Sequence, residues 1–268
     1  MTRRMTKMSK KTKKIYLVVL WTVTAVVIFA ALGIRVWGWG KSFGGKIVSA
    51  MDESKLTYDG ANSYAFPVDS SVDSIVLDVS VANLKIIKGD SFEVKTYYSD
   101  EILKPVCEVK GNVLRVEQKN TAGLFNFGVN KSSWITIYVP RTLSSLTADS
   151  DVGNVYVEDI SCDISNLSAD VGNISLNGGS FKKVMANTDT GNVKMENVGF
   201  SSADLSSDVG NVKVLLADSD RKNLPSMELE TSLGDVKVLG KKQEKHYSSQ
   251  GSSNSLKLKS SVGNVKVE

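Results

Sequence analysis

Apolar and polar positions alternate along most of this chain, in short runs of β-branched side chains divided by Gly, Asp, Asn or Pro. The runs SIVLDVS (74–80), ANLKII (82–87), SFEVKTYY (91–98), PVCEVK (105–110), NVLRVEQ (112–118) and WITIYVP (134–140) each predict a strand. From residue 146 the alternation becomes periodic. DVGNV at 151–155 returns as DVGNI at 170–174, DTGNV at 189–193 and DVGNV at 208–212, one copy every 19 residues. SLGDV at 232–236 and SVGNV at 261–265 follow at spacings of 24 and 29, the same period with five and ten residues inserted.

Aligned on Asp151, Asp170, Asp189, Asp208, Ser232 and Ser261, the copies form columns. Three positions earlier stand Ala148, Leu167, Ala186, Leu205, Leu229 and Leu258; one position later stand Val152, Val171, Thr190, Val209, Leu233 and Val262. Four and six positions later come pairs such as Val155/Val157 and Ile174/Leu176. Two strands meeting at a Gly corner, with all these columns inward, account for the pattern. A strand-bend-strand period near 20 residues signifies stacked coils, so the prediction is an all-β, right-handed parallel β-solenoid of about 19-residue coils; the hand follows the crossover rule. Gly serves the corner by positive φ or close approach. The column Asn154, Asn173, Asn192, Asn211, Asp235, Asn264 suits amide hydrogen bonds from coil to coil. VANLKI (81–86) is a degenerate copy with Ser80 at the origin, which starts the stack before the clear repeats.

Two segments interrupt this plan. Lys119 to Ser133 reads as an insertion whose Leu124, Phe125 and Phe127 pack inward as a cap or form a contact patch. The last copy, VGNVKVE, leaves no following sequence to cover its strand edge. Lys257, Lys259, Lys266 and Glu268 keep that edge soluble, and end-to-end self-association is the alternative.

Ahead of the strands, Ile15 to Ile34 carries no charge, and twenty helical residues match a bilayer core. The prediction is one transmembrane helix over 15–37, with Tyr16, Trp37 and Trp39 at the interfaces. Residues 1–14 contain seven Lys or Arg and no acid, a basic cytoplasmic tail. The formal net charge of +4 is therefore +7 in the tail and −3 elsewhere, which removes the case for nucleic acid on the folded part. Residues 38–63 read as a Gly- and Ser-rich spacer and 64–268 as the solenoid domain, outside the cell. A cleaved signal peptide is the rival, but its apolar core is usually shorter.

Candidate chemistry is sparse. Asp151, Asp170, Asp189 and Asp208 stack as a column of hard oxygen ligands, the candidates for a metal such as Ca²⁺. The simpler account has each Asp accept a backbone N–H in its own turn, with Lys194, Lys213, Lys237 and Lys266 balancing the charge. The second is preferred, with no metal and no cofactor. Cys107 and Cys162 form no CxxC pair, leaving free thiols or one disulfide. His246, the only histidine, lies in a polar insertion. Asp149, Asp151, Asp170 and Asp189 bring a polysaccharide-cleaving β-helix enzyme to mind, yet acid and base need unlike environments and a ladder repeats one. No catalytic residue is assigned.

SIVLDVSVANLKII, PVCEVKGNVLRVEQ, ITIYVPRTLSSLTADSDVGNVYV and the repeated GNV units resemble the bacterial putative-adhesin family of extracytoplasmic β-solenoids, with its membrane-anchored LiaG-like envelope proteins. The resemblance covers roughly residues 64–268. It implies an envelope-facing β-solenoid, in some relatives connected with envelope stress, and no catalytic residue. The expected function is a non-catalytic interaction or scaffold module at the cell envelope, meeting an envelope protein or polysaccharide. The alternative is a cation- or carbohydrate-binding module on an outer face.

Overall fold

The computed structural model describes residues 62–68, 71–118 and 133–268. The predicted helix over 15–37, the tail, most of the spacer and Leu124, Phe125 and Phe127 lie outside the described residues. Among the described residues no helix is long and apolar enough to cross a membrane.

Strands dominate. The first group comprises β1 (Asn62–Pro67), β2 (Ser74–Val81), β3 (Asn83–Lys88), β4 (Glu93–Tyr98), β5 (Val106–Lys110), β6 (Val113–Glu117) and β7 (Ser133–Val139). The regular coils follow as β8 (Leu143–Val152), β9 (Val155–Glu158), β10 (Ser161–Val171), β11 (Ile174–Asn177), β12 (Ser180–Thr190), β13 (Val193–Glu196), β14 (Gly199–Val209) and β15 (Val212–Leu215). A short helix α1 (Asp218–Lys222) precedes β16 (Pro225–Leu233), β17 (Val236–Val238), β18 (Lys241–Gln243), β19 (His246–Ser249), β20 (Ser252–Val262) and β21 (Val265–Val267).

Each coil is a long strand, the Gly-Asn corner, a short strand and a second corner. Long strands form one parallel sheet, in the order β16-β20-β14-β12-β10-β8-β2-β6, and short strands the other. Leu84, Val155, Ile174, Val193, Val212, Val265 and Val236 stack as one inward column. Each member is fully buried, and a buried Val or Leu contributes roughly 1.5–3 kcal/mol. One coil alone would leave its column wet on both sides. Stacking is therefore the condition for folding.

The second corner was not visible in the repeat. It turns on Asp159, Asn197 and Gly178, at φ of 53°, 51° and 68°. Asn, Asp and Gly are the residues that accept this left-handed region cheaply. In the Gly-Asn corner, by contrast, Asn has no positive φ, and Gly172 is required by proximity: an added Cβ would lie 1.7 Å from the Gly153 carbonyl oxygen of the preceding coil. In the first coil Ala82 takes this place, and the preceding Val81 N–H donates to Gln118 Oε1 at 3.0 Å.

The degenerate copy at 81–86 does begin the stack, with β2 and β3 parallel to β8 and β9, whereas the expected C-terminal end is corrected. The last repeat in the chain is not the last coil in the stack, because β21 pairs in parallel with β15 on one side and β17 on the other. Residues 225–238 form the terminal coil. Its edges are covered by β19 antiparallel to β16 and by β18 antiparallel to β17, both drawn from the ten-residue insertion. The five-residue insertion holds α1. At the other end β7, β4 and β1 continue one sheet antiparallel, and β5 does the same beside β6. The parallel stack is thus closed by antiparallel strands at both ends.

Candidate functional site

The Asn side chains of the DVGNV corner are engaged within the fold. Asn154 donates from its backbone N–H and from Nδ2 to Asn83 Oδ1, at 3.1 and 2.9 Å. Asn173 makes the same pair to Asn154, Asn192 to Asn173, Asn211 to Asn192 and Asn264 to Asn211, all between 2.9 and 3.1 Å. The ladder ends on Asp235, whose N–H donates to Asn264 Oδ1 at 2.9 Å. Asp235 is the last rung among the described residues, and its carboxylate meets Lys242 of the cap at 2.7 Å. That hydrogen bond holds its carboxyl below the usual range.

On the inner side of the corner a second column does similar work. Thr188, Ser207, Ser260 and Thr231 hydroxyls donate to the carbonyls of Gly172, Gly191, Gly210 and Gly263, at 2.7–2.9 Å. These residues stand one position before the origin and are buried. Their presence corrects the reading of the next column. Val152, Val171, Val209, Val262 and Leu233 face outward, 42–63% exposed, instead of joining the core. Inward parity runs through the small hydroxyl residues. The chain then places two successive residues outside before it turns.

Asp151, Asp170, Asp189 and Asp208 are exposed at the rim of this corner. The turn hydrogen bonds assigned to them belong to the Asn and hydroxyl columns; Asp208 Oδ1 accepts from Ser261 Oγ at 3.5 Å. Three of the four lysines expected to balance them are engaged elsewhere. Lys194 pairs with Glu196 at 2.6 Å, Lys213 with Glu268 at 2.8 Å and Lys266 with the same Glu268, all on the opposite sheet. The Asp149 carboxyl is pushed above the usual range, by burial first and then by the like charges of Asp78, Asp170 and Asp151. Among the described residues no group of three His, Cys, Asp or Glu side chains is placed to hold a metal ion.

Other sequence candidates stand apart from one another. Cys107 on β5 and Cys162 on β10 are both free, four strands apart in one sheet, or roughly 19 Å. A disulfide needs Cα atoms within about 7 Å. Burial pushes both thiols up to about 11, which keeps them protonated and unreactive. His246 is exposed on β19, opposite Glu230. A hollow of about 660 Å³ lined by Pro67, Val68, Phe92, Pro140 and Arg141 lies near the β1 end. Its arginine donates to the Val72 carbonyl, so its strongest donor already serves the fold.

Sequence reading missed an aromatic group on the outer face of the short-strand sheet. Trp134 of β7 and Tyr156 of β9 are nearly parallel, at 10°, with ring centroids 6.4 Å apart. Lys95 Nζ lies 4.7 Å from the ring centre of Tyr138. Burial, then the neighbouring Glu158 carboxylate, raises the Tyr156 hydroxyl above its ordinary range. Alternation alone puts Trp134, Thr136 and Tyr138 on one face of their strand. Nothing in the repeat says that β3 lies between β7 and β9 and brings Tyr156 beside them.

These features define an all-β stack of parallel coils with closed ends and an outward face bearing aromatic and charged groups. The chain belongs to the Toastrack DUF4097 family, whose model matches residues 72–268. Among solved structures it is similar to a putative cell adhesion protein from Clostridium sporogenes, at 18% identity and a TM-score of 0.48, covering 77% of this chain and 98% of that one. A putative adhesin from Bacteroides fragilis follows at 16% identity and 0.42, covering 78% and 98%. A putative lipid binding protein from Parabacteroides distasonis stands at 13% and 0.29, covering 79% and 98%. No curated protein matches the sequence.

Proposed function

We propose that this chain is a non-catalytic interaction module of the bacterial cell envelope, held in the membrane by one helix within residues 15–37 and displayed outside the cell. The twenty uncharged residues from Ile15 to Ile34, beside a tail of seven cationic ones, support the anchor and its orientation. The observation that carries the module reading is the use of the repeated polar groups. The Asn and Ser/Thr columns bond coil to coil, so the repeat builds a surface instead of a pocket. Adhesion or envelope-stress roles fit such a surface.

The test is protease access on intact cells that express the full chain tagged at both ends. The C-terminal tag is expected to be lost from intact cells and the N-terminal tag only after lysis. Protection of the C-terminal tag in intact cells would overturn the proposal.

A further inference from the structure

The outer face of the short-strand sheet changes character along its length. Beyond β9, the middle row runs through Ser175, Lys194 and Lys213. Toward the β1 end it becomes aromatic. Strand registers set three rows there: Tyr97, Trp134 and Asn83; Lys95, Thr136, Lys85 and Tyr156; and Glu93, Tyr138, Ile87 and Glu158. All alternate with buried neighbours such as Ile135, Ile137, Val155 and Val157, so their side chains belong to the outer face. Tyr97, Trp134, Tyr138 and Tyr156 are all half-buried there. They lie outside the column of buried aliphatic side chains, and a partly open aromatic group on a sheet face marks a contact site.

Polar groups around the rings point to the kind of ligand. Lys85 lies 4.0 Å from Glu158 and Lys95 3.7 Å from Glu93. The cations are thus matched by carboxylates, leaving a mixture of donors and acceptors with little net charge. A nucleic acid backbone draws its affinity from unpaired cations, whereas Lys85 and Lys95, the cations beside these rings among the described residues, are paired. A hydroxyl-rich ligand uses donors and acceptors equally. Sugars joined through equatorial oxygens present flat C–H faces that stack on π rings, with hydroxyls along their edges. Trp134 and Tyr156, 10° from parallel and half-buried, each leave part of the ring open to such a strand.

We infer that Trp134 and Tyr156 form the stacking platform of a binding site for a neutral β-1,4-linked hexose or hexosamine strand, whose hydroxyls meet Lys85, Glu158, Lys95 and Glu93. The inference rests on the interaction-module reading and gives it a ligand class. A strand lying along the stack would next meet Ser175 and the Lys194–Glu196 pair, on rungs spaced about 4.8 Å.

The experiment is isothermal titration of the full chain in detergent micelles with chitohexaose, with cellohexaose and with a fifteen-residue oligothymidylate. Saturable binding of at least one hexasaccharide is expected, with none of the oligonucleotide. Trp134→Ala and Tyr156→Ser should each weaken it about tenfold, the loss of one good ring contact, while Trp134→Phe stays within about threefold of the parent. Ser already occupies the Tyr156 column at Ser175, so Tyr156→Ser remains informative even if Trp134→Ala does not fold. Three results would overturn the inference: neither hexasaccharide binds at millimolar concentration, Tyr156→Ser binds as the parent does, or the oligonucleotide is the ligand these substitutions abolish. Protease access separates the two levels. An outward domain that binds neither sugar refutes the platform alone, whereas an inward domain refutes the envelope reading.

Discussion

Replacing Asn173 by Ala interrupts the corner ladder at one rung. Its Nδ2 donates to Asn154 Oδ1 at 3.0 Å, and its Oδ1 accepts from both the backbone N–H and the Nδ2 of Asn192, each at 2.9 Å. Three hydrogen bonds are therefore lost, and a backbone N–H inside a half-buried corner loses its side-chain acceptor. At roughly 0.5–1.5 kcal/mol net for each bond, the expected loss is about 3 kcal/mol. Asn187→Ala is the control. That side chain also reaches the previous coil, Nδ2 to Ser168 Oγ at 3.3 Å, but on an exposed face where water replaces it. The control should cost less than about 0.5 kcal/mol. Pulse proteolysis of the full chain in detergent across a urea series measures both. If Asn173→Ala falls within the control's range, the ladder is incidental to stability and the architectural account of the corner is wrong.

Three further outcomes follow from the same geometry. Gly172→Ala should prevent folding of the stack, since its Cβ meets a backbone oxygen at 1.7 Å; Gly111→Ala has open space and a φ of 62°, and should cost about 1 kcal/mol. Thermal melting separates the two. Ser165 stands in an otherwise apolar column with Ile75, Leu146 and Val184, and its buried hydroxyl has no partner among the described residues; Ser165→Ala is expected to raise stability by about 1 kcal/mol, and a loss would contradict the assignment.

Acid titration should move Glu268 and Asp149 in opposite directions. Hydrogen bonds from Lys213, then Lys266, lower the Glu268 carboxyl, so its stabilisation is present above the unfolded pKa and lost as pH falls through the folded one. Glu268→Gln should destabilise at neutral pH and not in acid. Asp149 is raised, by burial and then by neighbouring carboxylates, so its charged form opposes folding and protonation relieves it. Asp149→Asn should stabilise at neutral pH, an advantage that fades as pH falls. Melting curves across the acid range check both signs.

The repeat made the coil, its Gly and its Asn ladder readable, because each obeys a constraint local to one corner and is copied from coil to coil. Three things were hidden for physical reasons. Small hydroxyl residues such as Ser207 and Thr188 do not look like core, so the apolar pattern hides the inward column before the origin and points to Val152 and Val171 instead. Insertion of β20 and β21 between coils that precede them in sequence leaves the period unchanged, since parallel neighbours satisfy the same columns in either order. The aromatic group depends on pairing between segments far apart in the chain, and β3 reaches its place between β7 and β9 through tertiary contacts. The chemistry of Trp134 and Tyr156 was thus present in the sequence, and their proximity was not.

The most direct measurement of the central claim, that the DVGNV repeat is architecture, replaces its four aspartates together. Ser occupies this column naturally at Ser232 and Ser261, so Asp151→Ser, Asp170→Ser, Asp189→Ser and Asp208→Ser combine into one full-length variant the corner can accommodate. It is compared with the parent by melting and by cross-linked capture of partners from intact membranes. The account predicts undiminished stability and an unchanged set of captured partners. Loss of those partners at unaltered melting temperature would make the aspartate column a binding site and contradict the account.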